Sequence, residues 1–251
     1  MAPDRSHHSS SYKRLISTPM VIGAVVVGAA SAFVALSVLP SGGGAAPART
    51  TTKPEHLSTV VRYNASDRDA QLIFSLKDEN QAIGPISLLR PDGARVLDER
   101  LSHPSALGQS ILEVKTADGV PLRRLERAYP AGSYRWVGRT VDGKRVAATT
   151  RVSYALPRAP TIIAPSDEAR GLPTSGVTLR WRPVPDAEAI FVEVEEDADD
   201  GRELLMRLDG ETASFTVPDG FLENRADYDV EIKAIAANGN QTAVDTTFST
   251  G

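Results

Sequence analysis

From His56 onward the chain runs in short stretches that alternate apolar and polar side chains, each closed by Gly, Pro, Asp or Asn. A period of two places successive side chains on opposite faces of a strand, so each stretch predicts a strand with one buried face. The first such stretches are 57–63, 71–76, 86–90, 95–101 and 110–115, with 64–70 connecting the first pair. Pro91-Asp92-Gly93 predicts a turn, because proline presets φ at the second turn position and glycine accepts a positive φ. The spacing then changes. Leu122, Leu125 and Tyr129 recur at helical intervals, with Arg123, Arg124 and Arg127 between them, which predicts a short helix within 118–129 that ends before Pro130. The clearest hairpin is 133–141 followed by 144–156. Asp142-Gly143 between two alternating strands predicts a type I′ turn with positive φ at both residues.

The segment 157–165 holds three prolines and resists pairing in a central strand, so it predicts a domain boundary. After it the alternation restarts at 177–182, 189–195, 203–208, 213–217, 228–236 and 242–248. Strands this short, broken this regularly by turn residues, predict antiparallel sheets packed face to face. The expected fold is all-β, with two tandem β-sandwich domains at 56–157 and 158–251. The first of these carries the one short helix.

A different pattern precedes the sandwiches. Residues 20–39 are twenty positions without a charge, and Lys13 and Arg14 stand just before them. A helix of that length spans roughly 30 Å, the hydrocarbon thickness of a bilayer. The basic flank predicts a cytoplasmic tail at 1–19 and export of the C-terminal bulk. Two readings stay open. The length of the apolar segment favours a transmembrane signal anchor. The small residues Ala46 and Ala48 suit cleavage of a signal peptide after Ala48, which would release a secreted or periplasmic protein. Residues 40–55, rich in Gly, Pro and Thr, read as a flexible stalk.

Composition narrows the chemistry. The chain has no cysteine, which excludes disulfides, thiolate metal sites, a cysteine nucleophile and a lipidated-cysteine anchor. Its net charge is -4, and the basic surplus of the first 48 residues leaves the remainder more acidic still. That balance argues against non-specific nucleic-acid binding. Aromatics make up only 6% of residues, so the few present are expected in the cores.

Residues 158–251 resemble a fibronectin type III domain. The likeness is carried by Ala159-Pro160 through Pro165, by the strand ending at Trp181, by Val217-Pro218 leading to Leu222, and by Tyr228 through Ala234. The resemblance implies a buried core tryptophan at Trp181. It also implies a tyrosine corner at Tyr228, whose hydroxyl bonds to nearby backbone. The preceding stretch around Tyr129–Tyr134, Thr140–Lys144 and Ala155–Pro157 is similar to one found ahead of such domains in bacterial exported proteins of unknown function. That likeness implies an envelope location and a fixed two-domain unit and points to no particular activity, nor does the type III resemblance, since that fold hosts many functions.

Candidate chemistry is sparse. His56 and His103 are the histidines of the folded part and lack metal-ligand spacing. The acidic run 193–200 lacks the spacing of an EF-hand loop and reads as a hairpin tip, with Glu193 and Glu195 on a solvent face; calcium held by its carboxylates is the alternative. Tyr134, Trp136 and Tyr154 read as core, with stacking on a sugar as the alternative. Asn64-Ala-Ser66 and Asn240-Gln-Thr242 match the glycosylation sequon. No nucleophile elbow, Walker loop or dinucleotide fingerprint is present. The sequence therefore predicts a non-catalytic envelope protein that needs no cofactor, tethered through 20–39 and presenting its sandwiches to a protein or polysaccharide partner. The alternative is an envelope glycan-active enzyme or an accessory to one. The structural landmarks are Trp181, Leu222, Tyr228, Asp142 and Gly143; the oligomeric state is not encoded in any of them.

Overall fold

The computed structural model describes residues 51–99 and 108–251. The segment 20–39, the cleavage site at Ala48, His103 and most of the stalk lie outside the described residues. Among the described residues no helix is long and apolar enough to cross a membrane.

The first half holds β1 (Thr51–Thr52), β2 (His56–Asn64), β3 (Asp69–Lys77), β4 (Ile83–Leu89), β5 (Arg95–Glu99), β6 (Ile111–Lys115) and β7 (Val120–Pro121). The helix α1 (Leu122–Ala128) follows, then β8 (Gly132–Thr140) and β9 (Arg145–Val152). The second half holds β10 (Thr161–Ala164), β11 (Ala169–Leu172), β12 (Thr178–Arg182), β13 (Ala187–Glu196), β14 (Glu203–Asp209), β15 (Ser214–Thr216), β16 (Asp227–Ala236) and β17 (Gln241–Thr250). Every described stretch read as alternating overlaps one of these strands, although β9 ends at Val152, short of the expected 156. The strands that alternation did not announce are short: β1, β7, β10 and β11. Of the expected stalk, Thr51 and Thr52 pair in parallel with Arg145 and Val146, and Thr52 accepts a 2.7 Å hydrogen bond from Gln81. In the proline-rich segment 157–165, β10 pairs only with β12, at the edge of its sheet, where proline's missing N–H does no harm.

Two buried clusters fill the two halves. The first gathers Val61, Leu72 and Phe74 from β2 and β3 against Ile86, Leu88, Tyr134, Trp136 and Val146 of the sheet β1-β9-β8-β4-β5, with Leu125 from α1. The second gathers Leu179 and Trp181 from the sheet β10-β12-β15 against Ile190, Val192, Tyr228, Val230, Ile232 and Phe248.

The halves are not separate beads. β17 pairs in parallel with β2, Gln241 beside Arg62, Thr242 beside Tyr63 and Ala243 beside Asn64. One sheet therefore runs β14-β13-β16-β17-β2-β3-β6 through both halves. Paired residues share a face, and both cores lie on the face that carries Thr242 and Tyr63. The other face of this sheet is continuous across the junction. Asn240 locks the joint. Its Oδ1 accepts the Val61 N–H at 2.9 Å, and its Nδ2 donates to the carbonyls of Ser153 at 2.8 Å and Ala155 at 3.1 Å. Thr242 donates to the Pro157 carbonyl at 2.8 Å. Both are buried, so the second sequon is a structural joint. Asn64, in the first, accepts the N–H groups of Ser66 and Asp67 and donates to Asp245 at 2.7 Å.

The β8–β9 turn differs from the expected type I′. Gly143 has φ +86°, whereas Asp142 keeps a negative φ. The Gly143 N–H bonds the Thr140 carbonyl at 3.0 Å, and the Thr140 N–H bonds the Lys144 carbonyl at 3.0 Å. This is a three-residue loop in which a type I turn ends in a left-handed glycine. Val141 is the extra residue, and Asp142 is held by the Thr140 hydroxyl and by Lys144. The same pair of bonds recurs at Arg90–Ala94 and at Ala236–Asn240.

Candidate binding faces

Alternation along β8 and β9 turns Tyr134 and Trp136 into the core, fully buried. The Tyr134 hydroxyl donates to the Pro130 carbonyl at 3.1 Å, and its ring lies 5.2 Å from that of Phe74. Tyr154, partly buried, donates to the Tyr129 carbonyl at 2.7 Å. None of these aromatics is presented as a stacking platform, which settles them as core.

The same alternation points Arg135, Val137 and Arg139 of β8 outward, beside Arg145, Ala147, Thr149 and Arg151 of β9. Arg139 sits directly opposite Arg145, Val137 opposite Ala147, Arg135 opposite Thr149 and Ser133 opposite Arg151. At about 3.4 Å per residue the four arginines mark a stripe roughly 20 Å long with an apolar centre. Arg139 donates to the Gly143 carbonyl at 3.1 Å, and among the described residues none of the four is paired with a carboxylate. Like charges placed opposite one another on a sheet repel, so the Arg139–Arg145 pair costs stability unless an anion lies between them.

Two open depressions flank this stripe and share Val137. One, of about 380 Å³, runs between Lys53, Pro54 and Leu57 on one side and Arg135, Arg145, Ala147 and Thr149 on the other. The second, of about 550 Å³, is lined by Pro85, Ile86, Ser87, Asp98, Val137, Gly138 and Arg139. It forms where the register of β4 against β8 slips between Ile83 and Ile86. Gly138 permits the close approach there, since a Cβ on it would sit 2.5 Å from the Pro85 carbonyl oxygen. Asp98, the carboxylate of this depression, bonds the Ser87 hydroxyl at 2.6 Å and Arg95 at 3.0 Å.

The second half carries the opposite charge. On the continuous outer face, Glu193 stands opposite Glu231, and Glu195 stands opposite both Glu203 and Asp229. Burial is the main cause that pushes Glu193 up to about 7, helped by Glu231, Glu203 and Glu195 against the pull of Lys233. Glu195 is raised for the same reasons, burial first, then Glu203, Asp229 and Asp197. Glu193 does face outward, but it is half-buried and not a plain solvent residue. Nearby Phe191, Ala189 and Ile235 form a small buried cluster on this face. Lys233 and Arg207 flank Phe191, and their aliphatic stems can cover its ring. Asp197, Asp199 and Asp200 are the exposed tip of the β13–β14 hairpin. Among the described residues no three His, Cys, Asp or Glu side chains are grouped to hold a metal ion.

The remaining sequence landmarks are structural in position. The Trp181 indole N–H donates to the Thr212 carbonyl at 2.9 Å, deep in the second core. The Tyr228 hydroxyl accepts the Glu223 N–H at 2.7 Å, and its ring stacks 5.2 Å from Phe248. Leu222 is buried beside them. Arg123, Arg124 and Arg127 are exposed on α1, away from any cluster of partners. His56 is exposed, 3.7 Å from Glu55. The arginine stripe escaped the sequence reading, although its signal was there: basic residues at every second position of a predicted hairpin share a face.

No family model matches the chain. No curated protein matches it either. Among solved structures, the FN1–FN3 domains of chicken CNTN1 align over 79% of this chain at 12% identity and a TM-score of 0.34. The alignment covers 65% of that structure, less than two thirds of its length. The fibronectin(III)-like modules of Clostridium thermocellum CbhA align over 77% of this chain and 90% of theirs, at 11% identity and a TM-score of 0.31. A two-domain fibronectin type III segment from chicken tenascin aligns over 78% of this chain and 99% of its own, at 11% identity and a TM-score of 0.30. All three are fibronectin type III structures, the family that Trp181, Leu222 and Tyr228 resemble in the second half.

Proposed function

We propose that this chain is a non-catalytic binding module that takes an extended anionic partner along the arginine face of its first sandwich. Its segment 20–39 tethers it outside the cytoplasm in the cell envelope. The observation that carries the reading is the row Arg135, Arg139, Arg145 and Arg151, aligned on one sheet face whose carboxylate, Asp98, is bonded to Ser87 and Arg95 and to none of the four. Guanidinium groups bind carboxylate and phosphate through paired hydrogen bonds. A stripe of roughly 20 Å, read at the rise of a strand, suits a polymer that repeats such groups. The burial of Tyr134 and Trp136 weighs against a neutral sugar, which would want exposed rings to stack on. The depressions are shallow and open, and the carboxylate in the larger one is already bonded to Ser87 and Arg95. Both features favour binding over catalysis.

The test is binding of the full chain to immobilised polyuronate, polyphosphate and poly-glutamate over a range of salt. Arg135→Ala/Arg145→Ala/Arg151→Ala should weaken binding at least tenfold and flatten its salt dependence. Unchanged binding by this variant would refute the arginine face. Preference for polyglutamate would assign an acidic protein, and preference for polyuronate or polyphosphate an envelope polymer. Membrane fractionation with N-terminal sequencing tests the tether, and a new N-terminus at Arg49 would replace it with a released form.

A further inference from the structure

The sheet that runs through both halves ends at β14. This edge is long and lacks the proline, the bulge and the inward-pointing charge that commonly blunt one. The seven residues of β14 hold no proline, and their register against β13 runs without a shift from Ala189–Asp209 to Glu195–Glu203. Its core-side residues are Leu204, Met206 and Leu208, so no charge points inward. Its outward residues are Glu203, Leu205, Arg207 and Asp209. Leu205 is 36% exposed, one of few large apolar side chains that is. Among the described residues neither Glu203 nor Arg207 has an ion-pair partner.

The phase of the ladder is set by the bond from the Glu196 N–H to the Arg202 carbonyl. Antiparallel pairs alternate between bonded and non-bonded, so Leu204, Met206 and Leu208 bond to β13. Glu203, Leu205 and Arg207 are left to direct their N–H and C=O groups away from the sheet.

We propose that two copies of this chain pair edge to edge along β14, antiparallel, with Leu205 of each copy facing Leu205 of the other and Glu203 facing Arg207. This two-fold register joins all the free backbone groups of the three residues, about six hydrogen bonds. It places the exposed leucines against each other and gives each unpaired charge an opposite neighbour. The competing register, centred on Met206, sets Glu203 against Asp209 twice and is disfavoured by repulsion. The partner's Arg207 also lands beside the carboxylates of Glu203 and Glu195, where this face most lacks a cation. The other free edge, β6, offers less: Glu113 there is already bound to Lys115 and to Ser75. A second copy thus extends the continuous sheet through an isologous contact.

The chain has no cysteine, so a single introduced one reports the register directly. In the full chain Leu205→Cys should form a disulfide-linked dimer on mild oxidation, because a bonded antiparallel pair brings its Cα atoms to about 5.5 Å. Met206→Cys should not. Sedimentation of the full chain in mild detergent should show a dimer that Arg207→Glu weakens about tenfold or more. Glu203→Arg/Arg207→Glu exchanges the charges in both copies and should restore it. A wild-type chain that stays monomeric up to about 100 µM would overturn the proposal. So would linkage through Met206→Cys in place of Leu205→Cys, or a dimer indifferent to Arg207→Glu.

Discussion

Asn240 serves three backbone groups at once, one on β2 and two on the segment that leaves β9. A buried amide in that position cannot be replaced by an apolar group without leaving the Val61 N–H unbonded. Asn240→Ala is expected to cost about 1–3 kcal/mol of stability, read as a lower denaturation midpoint of the half that melts first. A loss within error would show that water substitutes for the side chain. In the sequence this residue is legible only as a sequon and as the end of a turn. Its partners lie about 85 and 179 positions away, and nothing local announces them. Trp181 and Tyr228 are different, since each is a large amphipathic ring on an alternating strand, and such rings bury their body and keep a partner for their polar atom.

At the scale of the element, β13 is the instructive strand. Its inward positions, Ile190, Val192 and Val194, are the apolar ones and were legible from alternation. Its outward positions hold Glu193 and Glu195, which alternation assigns to solvent. What alternation does not contain is the cross-strand neighbour. Glu231, Glu203 and Asp229 come from β14 and β16, and they crowd like charges onto a partly covered face. The pH consequence has a definite sign. A carboxylate raised above its ordinary value binds its proton more tightly in the folded chain than in the unfolded one. The stability this brings is present below about 4.5 and is lost as pH climbs through about 7, the raised value of Glu193. The melting temperature should therefore fall by a few degrees between about pH 5 and pH 8. Glu193→Gln should flatten that slope while leaving the acid-side value near wild type. An equally steep slope in Glu193→Gln would assign it elsewhere on the face. The short strands β1, β7, β10 and β11 were hidden for a related reason: two to four residues are too few to establish a period, and their pairing is decided by the strand they meet.

For the whole molecule, the decisive contact is the parallel pairing of β17 with β2. Sequence patterning gives two cores and a proline-rich segment between them, which is the signature of beads on a string. It cannot show that the last strand of one sandwich continues into the sheet of the other, because an alternating strand looks the same at an edge as in the interior. The pairing, the Asn240 bonds and the Thr242 bond to Pro157 make each half part of the other's support. Unfolding should then be coupled. The chain holds two tryptophans, and each is buried in a different core, Trp136 in the first and Trp181 in the second. Trp136→Phe and Trp181→Phe therefore yield single-tryptophan chains that report the two cores separately. Both are expected to show the same denaturation midpoint after correction for their own substitutions, since a shared sheet cannot lose one flank without exposing the β2–β17 seam. Adding Asn240→Ala to each should pull the two midpoints apart, the less stable half melting first. Separate midpoints in the chains that keep Asn240 would mean that three paired positions and a handful of side-chain bonds align the sandwiches without coupling them. The arginine face and the β14 edge would then sit on two independently folding units.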